Sequence, residues 1–347
     1  MGRAAAARRL ASAAAFGGGG LSLLGASLYG VLRAEANLAR KAIGRIEGRV
    51  PDATGWYGRG RPGPAIKVAL LGDSSAAGYG VGAVEDTPGA LIGSGLASRA
   101  DRRVHLGAFC VSGAKSSDLV GQVSAALPTE PDLAVILIGA NDVTHRMLPS
   151  ESVRFLSEAV RHLTDAGVAV IVGTCPDLGT VRPIPQPLRE LARLWSRRLA
   201  AAQTIAVVEA GGRTVSLGSI LGPEFDAAPA VLFGPDRFHP SAAGYVSLVG
   251  VLLPSALAAL GLGPEAEVHP QPVRGEGLRP ISKAAVHATK NPGTELGGTE
   301  VAGSHRGPGG RWVLQMRRRW LNPENAEAPD QDEDSSGPGA AEASRSQ

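Results

Sequence analysis

Five short segments of this sequence are apolar at nearly every position, and they limit the folds that the chain can adopt more than any other feature. They are IKVALLG (66–72), VHLGAFC (104–110), LAVILIG (133–139), VAVIVGT (168–174) and TIAVVE (204–209). Parallel strands that are covered on both faces have this composition, whereas half-exposed strands alternate apolar and polar residues. Longer segments rich in alanine and leucine predict helices near 87–100, 116–127, 150–166, 187–203 and 241–260. The alternation predicts an α/β fold, in which a parallel sheet of about five strands has helices on both faces.

The N-terminal residues differ from this α/β region in composition. Three arginines precede an uncharged stretch of 23 residues (10–32), which is long enough to cross a bilayer. We therefore interpret residues 1–45 as a membrane anchor or signal segment, and we expect the protein to be anchored or secreted outside the cytoplasm. A buried helix rich in alanine and glycine is the alternative for this stretch, and the arginines that follow it do not favour a cytoplasmic N-terminus.

The remaining boundaries follow from the content of glycine, proline and charged residues. Residues 46–65 are rich in all three and predict a linker, so the folded domain is expected over 66–262. Residues 263–347 are of low complexity and predict a largely disordered tail.

The overall composition argues against several classes of function. The net charge is only +3 and aromatic residues make up 4% of the chain, so a nucleic-acid partner is not expected. Two cysteines, Cys110 and Cys175, are too few for a disulfide framework or a zinc site by themselves.

The segment VALLGDSSAAGYG (68–80) joins the first predicted strand to a glycine-rich turn. A phosphate-binding P-loop needs a lysine, which this segment lacks, and a dinucleotide fingerprint needs a glycine where Asp73 and Ser74 stand. A Gly-x-Ser-x-Gly nucleophile turn is also excluded, because Ala76 occupies the position of its second glycine. Ser74 remains a candidate nucleophile at the carboxyl end of a strand, where α/β sheets have their sites; a helix-capping serine is the alternative.

A nucleophilic serine needs a base to take its proton, and the segment FGPDRFHPSAAGY (233–245) contains one. His239 comes three residues after Asp236 in a predicted loop. This spacing lets the carboxylate bind Nδ1 of the imidazole and leaves Nε2 free to accept the serine proton. Among the seven histidines, His145 also follows an acidic residue, Asp142, at this spacing, but we interpret it as a surface-loop residue and take His239 as the candidate base.

An acyl-transfer serine also needs hydrogen-bond donors for the oxyanion that forms on the carbonyl. Gly113 follows the second predicted strand in VSGAKSSDL, and Asn141 follows the third in IGANDVTH. Each could be an ordinary turn or capping residue. However, four strand-end loops present Ser, Gly, Asn and Asp-x-x-His in this order, which favours one shared site.

These four segments resemble the four sequence blocks of the SGNH/GDSL hydrolase superfamily. The matching residues are GDSS around Ser74, SGA around Gly113, GAND around Asn141, and DRFHP around Asp236 and His239. The resemblance covers about residues 66–260 and departs from the commoner GDSLT- or GDSIT-like form of the first block. It implies a three-layer α/β/α flavodoxin-like fold and a triad of Ser74, His239 and Asp236. It also implies an oxyanion hole formed by the N–H groups of Ser74 and Gly113 with the amide of Asn141.

We therefore predict a serine esterase that hydrolyses carboxylic esters of lipids or carbohydrates through an acyl-enzyme on Ser74, without a metal or an organic cofactor. The expected partners are a small-molecule, lipid or polysaccharide ester and, through the N-terminal segment, a membrane. Two alternatives remain: an acyltransferase that uses a sugar or lipid acceptor instead of water, and a catalytically silent binding module on the same fold.

Overall fold

The computed structural model describes residues 27–39, 41–43, 50–262 and 295–296. Its strands are β1 Gly55–Tyr57, β2 Ile66–Gly72, β3 Val104–Ala108, β4 Leu133–Leu137, β5 Ala169–Gly173, β6 Arg213–Val215 and β7 Glu295–Leu296. They form one sheet in the order β1-β3-β2-β4-β5-β6-β7. The five strands from β3 to β6 in this order are parallel, and β1 and β7 pair antiparallel at the two edges. The predicted α/β fold with about five parallel strands is therefore confirmed.

Helices cover both faces of the sheet. They are α1 (27–39), α2 Ser74–Ala77, α3 Pro88–Ala100, α4 Leu119–Ala126, α5 Ala140–Thr144, α6 Pro149–Asp165, α7 Leu188–Glu209, α8 Leu217–Ala227, α9 Pro229–Leu232 and α10 Ala242–Ala259. Helices α3, α8 and α10 pack in the core on one face, and α4 and α6 pack in the core on the other. The chain thus forms three layers, as the resemblance implied.

The apolar strands alternate their side chains between these two cores. Val68 and Leu70 of β2 belong to the core under α3 and α10, whereas Ala69 and Leu71 belong to the core under α4 and α6. Successive residues of a strand point to opposite faces, so a strand that is buried on both sides is apolar at nearly every position. This explains the predominantly apolar segments in the sequence.

One predicted strand is wrong. Residues 204–209 were expected to form the fifth strand, but they are the last turns of α7, and the strand that follows is β6. Thr204 and Val207 are buried, with a spacing that fits one face of a helix, and the Thr204 hydroxyl donates a hydrogen bond to the carbonyl of Ala200. A short apolar segment cannot by itself distinguish a strand from a buried helical face.

Part of the predicted linker packs against the sheet. Within residues 46–65, β1 pairs with β3, and Tyr57 is buried with its hydroxyl donating a 2.7 Å hydrogen bond to the carbonyl of Ala53. The tail predicted over 263–347 contributes β7, which pairs with β6. The domain boundaries themselves stay a prediction.

Most of the stretch predicted to reach the membrane lies outside the described residues. Its last residues, from 27 onward, begin α1. Within the described ranges, one helix, α10, is long and apolar enough to cross a bilayer, but 61% of it is buried inside the protein. A core helix meets the same criteria of length and composition, and α10 packs against α3 and the sheet.

Candidate active site

Ser74 lies on a sharp turn at the carboxyl end of β2. Gly72 ends the strand at φ +139°, and a Cβ atom on this residue would collide with the carbonyl oxygen of Leu137 on β4. Asp73 then caps the short helix α2, since its carboxylate accepts a 2.9 Å hydrogen bond from the backbone N–H of Ser75. Ser74 is the first residue of that helix and is 8% exposed.

His239 and Asp236 lie in the loop before α10, and backbone contacts join the two ends of this loop. Phe233 and Pro240 form an isolated bridge, and the backbone N–H of Gly234 donates to the carbonyl of His239 at 2.8 Å. Oδ1 of Asp236 accepts the backbone N–H groups of Phe238 and His239, both at 3.0 Å. The carboxylate therefore holds the backbone of its own loop while its second oxygen stays free for the imidazole.

The three side chains form one continuous chain of hydrogen bonds. Nε2 of His239 lies 2.8 Å from Oγ of Ser74, and Nδ1 lies 2.5 Å from Oδ2 of Asp236. Burial raises the pKa of Asp236, but the hydrogen bonds from His239 and from the backbone N–H of Phe238 outweigh it and hold this pKa below its usual value. Asp236 is therefore an anion beside the imidazole at neutral pH.

The backbone brings the other two predicted loops to the same edge of the sheet. The N–H of Val111, after β3, donates to the carbonyl of Gly72, and the N–H of Asp73 donates to the carbonyl of Leu137, at the end of β4. The loop with Gly113 and the helix with Asn141 therefore both begin next to the turn that carries Ser74.

Gly113 and Asn141 are joined through one backbone carbonyl. Nδ2 of Asn141 donates a 3.0 Å hydrogen bond to the carbonyl of Ala114, the residue after Gly113. This bond uses one of the two amide hydrogens and fixes the plane of the amide. Gly113 has φ +79°, and no atom lies within 4 Å of the position that a Cβ would take, so its backbone faces open space.

Sequence reasoning missed a buried network behind these donors. The carboxylate of Asp142 is fully buried and accepts three hydrogen bonds. Ser116 donates two of them, from its backbone N–H at 2.9 Å and from its side-chain hydroxyl at 2.5 Å, and the hydroxyl of Ser152 donates the third at 2.6 Å. The network ties the loop after Gly113 to α5, which carries Asn141, and to α6. The available signal was an acidic residue directly after Asn141, because a carboxylate that becomes buried needs several hydrogen-bond donors.

The imidazole of His239 also contacts an aromatic ring. The ring of Tyr79 lies 5.2 Å from that of His239, and the carbonyl of Tyr79 accepts a 2.5 Å hydrogen bond from the buried hydroxyl of Tyr245 on α10. Gly80 follows at φ +104°, and a Cβ there would collide with the carbonyl oxygen of Pro240. The turn after α2 therefore packs directly against the histidine loop.

No group of three or more potential metal ligands from histidine, cysteine, aspartate and glutamate occurs among the residues that the structure describes. Cys110 and Cys175 are both free thiols.

Comparison with known proteins shows the family to which the chain belongs. Residues 70–246 match the model of the GDSL-like Lipase/Acylhydrolase family. The chain is also 40% identical over 277 residues to the GDSL-like esterase Rv1075c of Mycobacterium tuberculosis (strain ATCC 25618 / H37Rv), across 76% of this chain and 87% of that protein. The protein is therefore a hydrolase that acts on ester bonds. It belongs to the GDSL-like lipase/acylhydrolase family, within the SGNH/GDSL superfamily that the sequence resembles.

The solved structures that match this chain are more distant in sequence. The α/β hydrolase LAE5 from the metagenome of Lake Arreo, Spain, is 22% identical, with 58% of this chain and 97% of that chain covered and a TM-score of 0.44. TesA is 22% identical, with coverages of 56% and 99% and a TM-score of 0.45. The lipase/acylhydrolase from Enterococcus faecalis is 21% identical, with coverages of 55% and 95% and a TM-score of 0.43.

Proposed function

We propose that this esterase works through a covalent acyl-enzyme on Ser74, with His239 as general base and acid and Asp236 as the residue that orients the imidazole. One observation carries the proposal: two hydrogen bonds, of 2.8 and 2.5 Å, link the serine hydroxyl to the imidazole and the imidazole to a buried carboxylate. A nucleophile, a base and an orienting acid within hydrogen-bond distance of one another are what serine acyl transfer requires.

The first half of the reaction forms the acyl-enzyme. Oγ of Ser74 attacks the carbonyl carbon of the ester while its proton passes to Nε2 of His239. The tetrahedral intermediate then collapses: the bond from the carbonyl carbon to the alcohol oxygen breaks, and the alcohol leaves with the proton from Nε2. The anionic Asp236 stabilises the imidazolium that exists between these two steps.

The second half releases the acid. Water takes the place of the alcohol, gives a proton to Nε2 and attacks the acyl carbon. The intermediate breaks its bond to Oγ of Ser74, which recovers the proton from His239. The products are a carboxylic acid and the free enzyme, and no metal or redox group takes part in either half.

We infer that the oxyanion in both halves is stabilised by the N–H groups of Ser74 and Gly113 and by the amide of Asn141. The 3.0 Å bond from Asn141 to the carbonyl of Ala114 supports this role, because it orients the amide and leaves its second hydrogen unused. Donors that are fixed before the reaction stabilise a developing charge without reorganisation, which is why their removal is costly.

We also infer that the protein acts outside the cytoplasm and is held at a membrane by its N-terminal segment. The support is the uncharged stretch 10–32. On α1, the apolar side chains of Leu28 and Val31 within that stretch, and of Leu38 after it, are exposed.

The experiment that tests the proposed function is the hydrolysis of p-nitrophenyl acetate by the full chain and by Ser74→Ala. We expect the variant to lose nearly all turnover, because the nucleophile is gone. Ser75→Ala is the matched control, since it changes the neighbouring hydroxyl and keeps the backbone N–H that Asp73 accepts, and it should keep most of the activity. Hydrolysis that survives in Ser74→Ala would contradict the proposal, and product transferred to added glycerol would identify an acyltransferase instead.

A further inference from the structure

An apolar cavity of about 350 Å³ lies between α1 and the body of the protein. This volume falls within the range of about 300–1,000 Å³ that is typical of small-molecule sites. Its walls on α1 are made by Leu32, Ala36 and Ala39, and opposite them lie apolar residues of α7, among which are Leu188 and Ala192. A compound with a hydrocarbon part fits such walls.

The cavity borders both parts of the proposed catalytic machinery. Phe238, one of its lining residues, directly precedes His239, and the two rings meet edge to face at a centroid distance of 5.0 Å. Val143 and Thr144 also line it, and they belong to the same short helix as Asn141. The cavity thus reaches the residue before His239 in the histidine loop and, on α5, the second and third residues after Asn141.

Helix α1 is fixed in this position by specific polar contacts. The buried carboxylate of Glu35 accepts a 2.9 Å hydrogen bond from the backbone N–H of Leu188, the first residue of α7. Pro187 occupies the N-cap of α7 and makes no side-chain capping bond. Glu35, which lies on α1, therefore caps α7 in its place. The guanidinium of Arg237, which lies between Asp236 and Phe238, donates to the carbonyl of Ala42 just after α1. The helix is thus tied both to α7 and to the histidine loop.

We propose that this cavity binds the acyl chain of the ester that reacts at Ser74, so that α1 forms one wall of the substrate site and the preferred substrates carry an apolar acyl chain of several carbons. This inference rests on the proposed function, because it places the acyl chain of the substrate relative to the acyl-enzyme on Ser74. It goes beyond that function by naming the substrate class and by giving the N-terminal helix a role in specificity.

The test compares kcat/KM for p-nitrophenyl acetate, butyrate and octanoate, a series in which only the acyl chain changes. In the full-length wild-type enzyme we expect kcat/KM to rise from acetate to the longer esters, by up to roughly fourfold for each methylene that becomes buried. Ala36→Trp should fill the cavity from α1 and lower the ratio of octanoate to acetate by about tenfold or more, the loss expected when two buried methylenes are displaced.

Two further variants keep the test decisive. Ala192→Trp fills the same cavity from α7. It replaces Ala36→Trp in the comparison if the tryptophan at position 36 displaces α1 from the protein, which a lower melting temperature of that variant would reveal. Leu38→Trp adds the same side chain on the exposed face of α1, where Leu38 is 57% exposed, and should leave the chain-length profile unchanged.

The outcomes separate this inference from the function on which it rests. If Ser74→Ala abolishes acetate hydrolysis but neither Ala36→Trp nor Ala192→Trp changes the ratio of octanoate to acetate, the acyl-chain site is wrong and the serine mechanism stands. If all three esters decline equally in both cavity variants, the cavity does not discriminate chain length and the inference is overturned. Acetate hydrolysis that persists in Ser74→Ala would instead refute the proposed function itself.

Discussion

Replacing Asp73 with asparagine is expected to stabilise the protein at neutral pH, although the residue directly precedes the candidate nucleophile. Asp73 is 3% exposed and lines an apolar cavity of about 90 Å³. This burial raises its pKa from the ordinary 3.8 to about 6, against the opposing hydrogen bond from the N–H of Ser75. A raised carboxyl pKa means that the folded state holds the proton more tightly than the unfolded chain does.

The sign and size of the effect follow from this difference. Below about pH 3 the carboxyl is mostly protonated in both states, and its ionisation hardly changes the free energy of unfolding; the loss of stability begins as the pH rises past the ordinary pKa of 3.8. As the pH rises through the folded pKa of about 6, the ionised carboxylate lowers that free energy by roughly 3 kcal/mol. Asparagine removes the charge and keeps an oxygen that can cap α2, but its amide is still a buried polar group, so we expect a net gain of about 1–3 kcal/mol.

The assay is urea unfolding of wild type and Asp73→Asn, followed by far-UV circular dichroism at about pH 7.5 and again at about pH 4.5, on either side of the folded pKa. The advantage of the asparagine variant should be largest at the higher pH and should shrink at the lower one. Asp73→Ala is the control, because it removes the charge together with the cap and should be less stable than Asp73→Asn by about 0.5–2 kcal/mol. An asparagine variant that is no more stable than wild type at neutral pH would refute the reasoning.

Three other replacements test the site. Asp236→Asn keeps an oxygen for its two backbone donors but turns an N–H towards Nδ1 of the imidazole, which favours the wrong tautomer of His239. Turnover of p-nitrophenyl acetate should fall on the order of 10³–10⁴-fold while the circular dichroism spectrum stays unchanged. Near-normal turnover would argue against the triad. Asn141→Ala should lower turnover on the order of 10²–10³-fold, and full turnover would leave Asn141 as a turn residue. Ser152→Ala removes one donor to the buried Asp142 and should lower the free energy of unfolding in urea by about 1–3 kcal/mol, whereas an unchanged midpoint would contradict the network.

Much of the fold could be predicted because its signals are local. Strands β2, β4 and β5 are buried on both faces, so each is apolar at nearly every position and separated by a helix from the next. The candidate site could be located for a related reason. Parallel strands end at one edge of the sheet, so polar residues after several strands must meet there. The short spacing from Asp236 to His239 could be interpreted without knowledge of the rest of the chain.

Other features depend on contacts between distant parts of the chain. The segment 204–209 is apolar and short enough for a strand, and it is a helix because it continues α7 onto a buried face. The cap that Glu35 provides for α7 joins residues 153 positions apart, and no spacing in the sequence predicts it. The hydrogen bonds to Asp142 from Ser116 and Ser152 likewise come from two different elements. Such pairings arise only when the elements pack.

The central claim is that Ser74 is the nucleophile. Its most direct test is to identify the residue of the full-length protein that reacts with a fluorophosphonate, a reagent that phosphonylates activated serines. The reagent forms a stable bond with a serine only when a base has activated it, so the modified peptide reports the nucleophile itself. We expect intact mass to increase by one adduct, peptide mapping to place it on Ser74, and His239→Ala to abolish it. An adduct on any other residue, or labelling that does not depend on His239, would contradict the account.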